Sequence, residues 1–265
     1  MKFHYISDLH LEFGPTPILP GGDILLIAGD TIPVIGFHKE YLIWIERFSK
    51  LMEETKKYNK TFMILGNHEH YKGLLGDSKQ VLTKFVPNNV TVLENELIRI
   101  APYLLLYGAT LWTDYGNRDR DNMSVAQISM NDHRYIHMDS IRTFCPEDAY
   151  DINKNSRETL ETFSSEHKDH RIIVMTHHTP SMSCGNKKWG GATNKLNYAF
   201  HNTGLEEVIK DHPNIIHWVC GHTHDSHEGY IHQCAVHINP RGYVSYNGVP
   251  ENMEFNTDRY FEVNI

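Results

Sequence analysis

Cysteine is scarce in this chain and carries no pattern. Cys145, Cys184, Cys220 and Cys234 form no C-x-x-C pair and no framework spacing. That excludes a disulfide-stapled scaffold and fits reduced, structural thiols in the cytoplasm. No run approaches the roughly 18 apolar residues of a membrane span. Met1 to Asp8 holds too short an apolar stretch for a signal-peptide core. The expectation is a soluble cytoplasmic protein with no membrane partner. Basic excess is missing as well: 25 Lys and Arg stand against 33 Asp and Glu, a formal charge of −8. A broad nucleic-acid footprint is disfavoured by that balance, although bound divalent cations would reverse the field locally. Repeats, low-complexity tracts and linker-like stretches are also absent, so residues 1–265 read as a single domain.

What the chain has in quantity is histidine, 19 residues, more than any one- or two-metal site could use. Most must be surface or core residues, but the number raises the prior for metal chemistry. Their placement matters more. Five β-rich runs each stop at a polar cluster. Phe3 to Ser7 runs into Asp8-Leu9-His10, and Asp23 to Ala28 into Gly29-Asp30. Thr61 to Leu65 runs into Gly66-Asn67-His68-Glu69, Arg171 to Thr176 into His177-His178, and Ile215 to Cys220 into Gly221-His222-Thr223-His224. Near-continuous apolar runs of this length suit strands buried on both faces. Between them, Phe37 to Tyr58 carries a helix-period stripe of Tyr41, Leu42, Ile45, Phe48, Leu51 and Met52. Asp151 to His167 and Gly204 to Lys210 also read as helices. Alternation of this kind predicts an α/β fold with a substantially parallel sheet, in which functional residues gather at the carboxyl ends of strands. Thr91 to Thr110 reads as two or three adjacent strands, Gly229 to Ile238 as a hairpin, and Leu111 to Pro146 as a less regular polar insertion.

Two carboxylates, an amide and several imidazoles are enough for a two-metal hydrolytic site, which needs ions roughly 3.5–4 Å apart and a bridging carboxylate. Hard oxygens mixed with neutral imidazoles suit Mn, Fe, Zn, Co or Ni better than calcium. A glycine before Asp30 permits the tight turn that exposes a bridging carboxylate. His222-x-His224 in a strand-like extension would put both rings on one face. Each cluster alone has an ordinary explanation in turn chemistry or a surface histidine. Their combination, in this order, carries the inference.

The order D-x-H, G-D, G-N-H-E, H, G-H-x-H, from Asp8 to His224, resembles the calcineurin-like metallophosphoesterase superfamily. The resemblance implies a four-layer αββα sandwich of two mixed β-sheets flanked by helices. It implies that Asp8, His10 and His224 hold one divalent transition metal and that Asn67, His177 and His222 hold the other. Asp30 would bridge them, and manganese is favoured over iron, zinc, cobalt or nickel. A metal-bridging hydroxide would attack phosphorus in line, with Asp30 and His68 as the catalytic pair. His68 would protonate the leaving group, a role typically contributing about 10²–10⁴-fold. Glu69 would support His68, and Thr223 would face away.

The segment after Gly29-Asp30 reads Thr31-Ile32-Pro33 and lacks the phosphate-gripping arginine of the protein phosphatases. The chain is therefore more similar to the small bacterial and phage phosphohydrolases, and a small phosphoester, diester or monoester, is the expected substrate, cyclic nucleotides included. Asn131, Asp132, Arg134, His137 and His178 are candidates for substrate contact, with ordinary loop roles as the alternative for each. Arg241 is a candidate phosphate contact or a salt-bridge residue. Trp112 and Trp189 are candidates for stacking on a base, with core packing the favoured reading. Cys220 reads as a small buried strand residue. Two competing functions are a metal-dependent nuclease, against which the acidic charge weighs, and a catalytically silent scaffold, which would have no need of the full ligand set and His68.

Overall fold

A computed structural model describes residues 1–265, the side chain of Lys187 excepted. The apolar runs become strands β1 (Lys2–Ile6), β2 (Gly22–Ala28), β3 (Tyr58–Ile64) and β4 (Val90–Leu93), which lie parallel in one five-stranded sheet. A six-stranded sheet holds β5 (Glu96–Ala101), β6 (Leu104–Ala109), β7 (Arg171–Thr176), β8 (Ile215–Cys220), β9 (His227–Ile231) and β10 (Cys234–Ile238) in the order β5-β6-β7-β8-β10-β9. There β6, β7, β8 and β10 are parallel, and β5 and β9 close the edges antiparallel. A last strand, β11 (Tyr260–Glu262), returns to the first sheet antiparallel to β1, with Glu262 opposite Lys2.

Helices α1 (Leu42–Thr55) and α2 (Ser78–Thr83) cover the first sheet, α3 (Arg120–Ser129) lies in the insertion, and α4 (Pro146–Glu166) and α5 (Leu205–Asp211) cover the second sheet. Side-chain alternation along the strands assigns three cores. Phe3, Ile24, Leu26 and Phe62 meet Leu104, Leu106, Ile173 and Met175 between the sheets. Leu25, Ile27 and Met63 point the other way, onto Phe48, Leu51 and Met52 of α1. Leu105, Ile172, Val174 and Trp218 pack under Leu160, Val208 and Ile209. Each such side chain contributes about 1.5–3 kcal/mol on burial, so both faces of both sheets are held. The layers run helix, sheet, sheet, helix, the αββα sandwich that the family resemblance implied.

Four local readings are corrected. The stripe from Phe37 is broken: a single turn, Ile35–His38, precedes a left-handed Glu40 (φ 53°), and α1 starts at Leu42 with Tyr41 and Leu42 exposed. The helix expected from Asp151 begins five residues earlier, where Asp148 accepts the Cys145 backbone N–H and Pro146 occupies the first helical position. The stretch Thr91–Thr110 is divided between the sheets, β4 pairing with β3 and β5 with β6. The insertion is also more ordered than its composition suggests. Asp119 caps α3 by accepting from the Asn122 N–H at 2.9 Å, and Trp112, Met123, Ala126, Ile136 and Phe144 form a small core beneath it.

Candidate active site

At the carboxyl ends of β1, β2 and β8 the backbone turns through the left-handed region. φ is 51° at Asp8, 42° at His10, 52° at Asp30, 70° at His222 and 54° at His224. Such conformations cost roughly 1–3 kcal/mol each and persist only where the surroundings over-determine them. Here the loops are laced together: Asp8 N–H donates to Gly29 O at 3.0 Å, His10 N–H to Asp30 O at 2.9 Å, and Gly221 N–H to His177 O at 2.9 Å. His222 and His224 are thus not a strand-like extension. Their rings converge because two left-handed residues curl the loop. Close approach also dictates glycine. A Cβ on Gly29 would lie 2.6 Å from His177 Nδ1, and one on Gly66 would lie 2.1 Å from Asp30 Oδ1.

Two half-sites result. At the rim, Asp8, His10 and His224 bring candidate ligand atoms within 4.8 Å of one another. His10 Nε2 faces His224 Nε2 at 3.0 Å, and His224 Nε2 lies 3.5 Å from Asp8 Oδ1. In the inner half-site, Asn67 Oδ1 and His222 Nδ1 lie 3.0 and 3.1 Å from His177 Nε2. Asp30 stands between. Its Oδ2 is 3.3 Å from His177 Nε2 and 3.7 Å from His10 Nε2, while its Oδ1 accepts the His68 backbone N–H at 2.8 Å.

These atoms fit divalent cations. Ligands about 2.1 Å from one ion and at right angles to each other lie about 3 Å apart, the spacing seen within both pairs of rings. Three rings also have the outer nitrogen engaged by an oxygen: His10 Nδ1 by Glu12 Oε1 (3.3 Å), His177 Nδ1 by Ala28 O (2.9 Å) and His224 Nδ1 by Glu251 Oε2 (2.7 Å). That is how metal-binding imidazoles are oriented, with the Nε2 lone pair turned inward. Asn67 is oriented as well, its Nδ2 donating to Asp132 Oδ1 at 2.8 Å and to Tyr71 Oη at 3.1 Å, so its carbonyl oxygen faces the site. His222 differs, presenting Nδ1 while its buried Nε2 has no partner among the described residues.

With no cation bound, the neighbouring carboxylates favour an extra proton on two of the four rings. Burial opposes charge on His177, but Asp30 and Asp8 raise its pKa to about 9. Burial opposes it on His224 too, and Asp8 with Glu251 raises that ring to about 10. His222 is held far below the ordinary imidazole value by burial and by His178 and His177.

A family model described as calcineurin-like phosphoesterase matches residues 1–226 of the chain. The chain belongs to that family. This phosphoesterase is 25% identical to an uncharacterised protein of Acanthamoeba polyphaga mimivirus over 291 residues, covering 98% of the chain and 95% of the relative. Among solved structures, phosphopantetheinyl hydrolase from Mycobacterium tuberculosis superposes with a TM-score of 0.65 at 14% identity, over 91% of this chain and 89% of that one. A dimetal phosphatase from Danio rerio superposes at 0.50 with 12% identity, over 90% and 86%. Those two likenesses concern the fold, which they share with the phosphoesterase. Family membership makes the chain a metal-dependent phosphoesterase.

The remaining candidates disperse. Asn131 lines the cleft of the phosphoesterase beside Asp30, Asn67, His68, His222 and His224. Asp132 does not; it is buried behind Asn67 and holds its amide. Arg134 turns its guanidinium to the Ile128 carbonyl, and His137 bridges Leu74 and Thr143, so neither reaches the site. His178 is fully buried, its ring centroid 4.2 Å from that of His222, and burial followed by the charge of His177 pushes it down to about 3. It is a neutral wall of the inner half-site rather than a substrate group. Thr223 lines the cleft instead of facing away. Arg241 is buried and donates to the Pro15 carbonyl. Trp112 is core and Cys220 is a fully buried free thiol, whereas Trp189 is 55% exposed and lines the cleft.

Glu69 does not touch His68 in the phosphoesterase. It accepts from the N–H groups of Asp30 (3.1 Å), Thr31 (2.5 Å), Ile32 (3.3 Å) and Gly66 (2.7 Å), clasping the loops after β2 and β3. Burial and then Asp30 push its carboxyl up to about 7, against the pull of those donors. The group beside His68 is Glu12, which the sequence reading passed over although it continues the alternation Asp8-x-His10-x-Glu12. Its Oε1 lies 3.1 Å from His68 Nδ1. His68 Nε2 faces the cleft and Tyr243 Oη at 3.2 Å, and the ring stacks on Tyr71 at 4.1 Å. Burial opposes its charge, but Asp30 and Glu12 raise it above the ordinary value.

Proposed function

We propose that the phosphoesterase holds two divalent transition-metal ions, manganese favoured, and hydrolyses a small phosphodiester or phosphomonoester. Asp8, His10 and His224 would hold the ion at the rim, Asn67, His177 and His222 the inner one, and Asp30 would serve both. The observation that carries this reading is the position of Asp30 Oδ2 between His177 Nε2 and His10 Nε2, at 3.3 and 3.7 Å. Bound ions supply a nucleophile from water and neutralise the charge that grows on the phosphoryl oxygens.

The chain's own groups do the rest. Glu12 engages Nδ1 of His68, so that in the imidazolium form the second proton, on Nε2, faces the cleft and can pass to the leaving oxygen. The charges of Asp30 and Glu12 favour that doubly protonated ring, against the effect of burial. Tyr71 at 4.1 Å prevents the ring from turning away. Glu12 is a positioning residue in this scheme, and His68 and Asp30 are the catalytic ones.

Free thiols at all four cysteines, three of them buried, support action in a reducing compartment such as the cytoplasm. None of the helices is long and apolar enough to cross a membrane. A single catalytic unit over residues 1–265 is supported by Glu251, the carboxylate behind His224, which lies beyond the family match. The nuclease reading finds little support, because no Lys or Arg among the described residues lines the cleft to hold a strand.

The test is reconstitution with Mn, metal counting by mass spectrometry, and turnover of bis-nitrophenyl phosphate, nitrophenyl phosphate, cyclic nucleotides and single-stranded DNA. Two ions per chain with ester turnover and little DNA cleavage is expected. One ion per chain at saturation would overturn the two-metal reading, and preferred DNA cleavage would replace the small substrate.

A further inference from the structure

The cleft beyond the half-sites encloses about 360 Å³, the size of a small-ligand pocket. Its walls are unusual for a site that must receive an anion. They hold no ammonium or guanidinium among the described residues, and Glu251, the carboxylate at their outer edge, is engaged by His224. Lys188 is neutralised by Asp225 at 2.6 Å. Besides several asparagine amides, the lining is aromatic and apolar, with Met130, Leu196, Phe200, Trp189, Tyr71 and Tyr243. Phe200 lies 4.7 Å from the His222 ring, so the apolar wall begins at the inner half-site itself. Trp189 is pinned by its indole N–H, which donates to Asp225 Oδ2 at 2.9 Å, yet more than half of it is left to solvent. Lys188 Nζ lies 4.9 Å from the centre of that ring, and the remaining exposed surface of the fixed indole offers a stacking platform in a concave site.

Two cations at one end can accommodate one phosphoryl group. A second phosphate, whether of a diphosphate, a triphosphate or a nucleic-acid backbone, would enter a region where the described cation beside Trp189, Lys188, is already paired with Asp225 and where Glu251 is nearby. An uncharged planar ring would instead gain contact with Trp189 and Phe200. We propose that the cleft selects esters carrying a single phosphoryl group whose organic part is an uncharged planar ring, as in a nucleoside monophosphate ester, laid against Trp189. This rests on the phosphoester reading above and narrows its substrate class.

The test compares two esters with the same leaving group, thymidine 5′-monophosphate p-nitrophenyl ester and methyl p-nitrophenyl phosphate, on the Mn-loaded enzyme. Stacking of a base on an aromatic ring supports about a tenfold effect. Trp189→Ala is expected to raise KM about tenfold for the nucleoside ester with kcat within about twofold, and to leave the methyl ester unchanged. Trp189→Phe should recover most of the loss. Equal effects on the two esters, or none on the nucleoside ester, would overturn the stacking role. ATP turned over as well as the nucleoside ester would overturn the single-phosphoryl restriction. If neither ester is cleaved, the phosphoester reading itself fails. Thymidine 5′-monophosphate should still quench tryptophan fluorescence in the Mn-loaded protein and not in Trp189→Ala, and absence of that quenching overturns the inference separately.

Discussion

The rim and inner half-sites use similar ligands but are backed differently. At the rim, His10 and His224 each give the Nδ1 proton to a carboxylate, Glu12 and Glu251, and Asp8 accepts the His222 backbone N–H at 3.0 and 3.1 Å. In the inner half-site the Ala28 carbonyl backs His177, Asp132 and Tyr71 hold the Asn67 amide, and His222 Nε2 has no partner among the described residues. The shared Asp30 is its one carboxylate within ligand reach. Exposure differs too: the His224 side chain is 15% exposed, while His177 is sealed. In the proposed two-ion site the rim would hold its ion by charge and exchange it through the mouth. The inner half-site would hold its ion by enclosure.

Asp30 is where the comparison should collapse. Asp30→Asn removes the charge both halves share, and a two-ion clamp is worth several kcal/mol. Turnover should fall on the order of 10⁴-fold, with both ions weakened in a Mn titration. Loss of only one ion would assign Asp30 to a single half. His68→Ala comes next, at about 10³-fold in kcat for a poor leaving group. Both ions should stay, and a nitrophenolate ester should suffer least. Undiminished turnover of an alkyl ester would remove His68 from the chemistry.

Glu251→Gln should separate the halves. Losing a carboxylate behind a ligand histidine typically costs about 10–100-fold in metal affinity, so one of two Mn-binding steps should weaken and the other hold. Two equally weakened steps would mean that the halves do not act independently.

The smallest effect is in pH. His177 and His224 have pKa values raised to about 9 and about 10 in the metal-free protein, above the ordinary 6.5. Their contribution to metal-free stability is then full below about pH 6.5 and lost as pH rises through 9 to 10. Metal must displace those protons, so affinity should climb by about tenfold per pH unit for each proton released between pH 6 and 8. Calorimetry in buffers of different ionisation heat would count the protons. A flat affinity would show that the rings are already neutral.

Much of this arrangement was legible in the sequence because strand-end clusters are local. Asp8, His10, Asp30, Asn67, His177, His222 and His224 each follow an apolar run that folds as a strand, and they converge because parallel strands end on one side. The supporting groups were not legible, for a physical reason. Glu251 and Tyr243 lie on the segment between β10 and β11, brought to the site by pairing of Ser7 with Asn239 and Arg241 across the two sheets. No periodicity records such a contact. Glu69 was visible as a residue but mistaken in role, because a buried carboxylate serving four backbone donors leaves no signature except its position. Trp189 reads as core from the sequence because a tryptophan usually is, and only its setting in the cleft reverses that.

One feature of the first sheet bears on how the protein can be handled. Lys2 lies opposite Glu262, and the Val263 N–H bonds to Met1 O at 3.0 Å. Both ends of the described chain thus sit together at the amino end of β1, while Asp8 and its neighbours sit past the other end. Five residues of extended chain rise about 17 Å. A short tether at either end would fix the molecule to a surface with its mouth turned toward the solution.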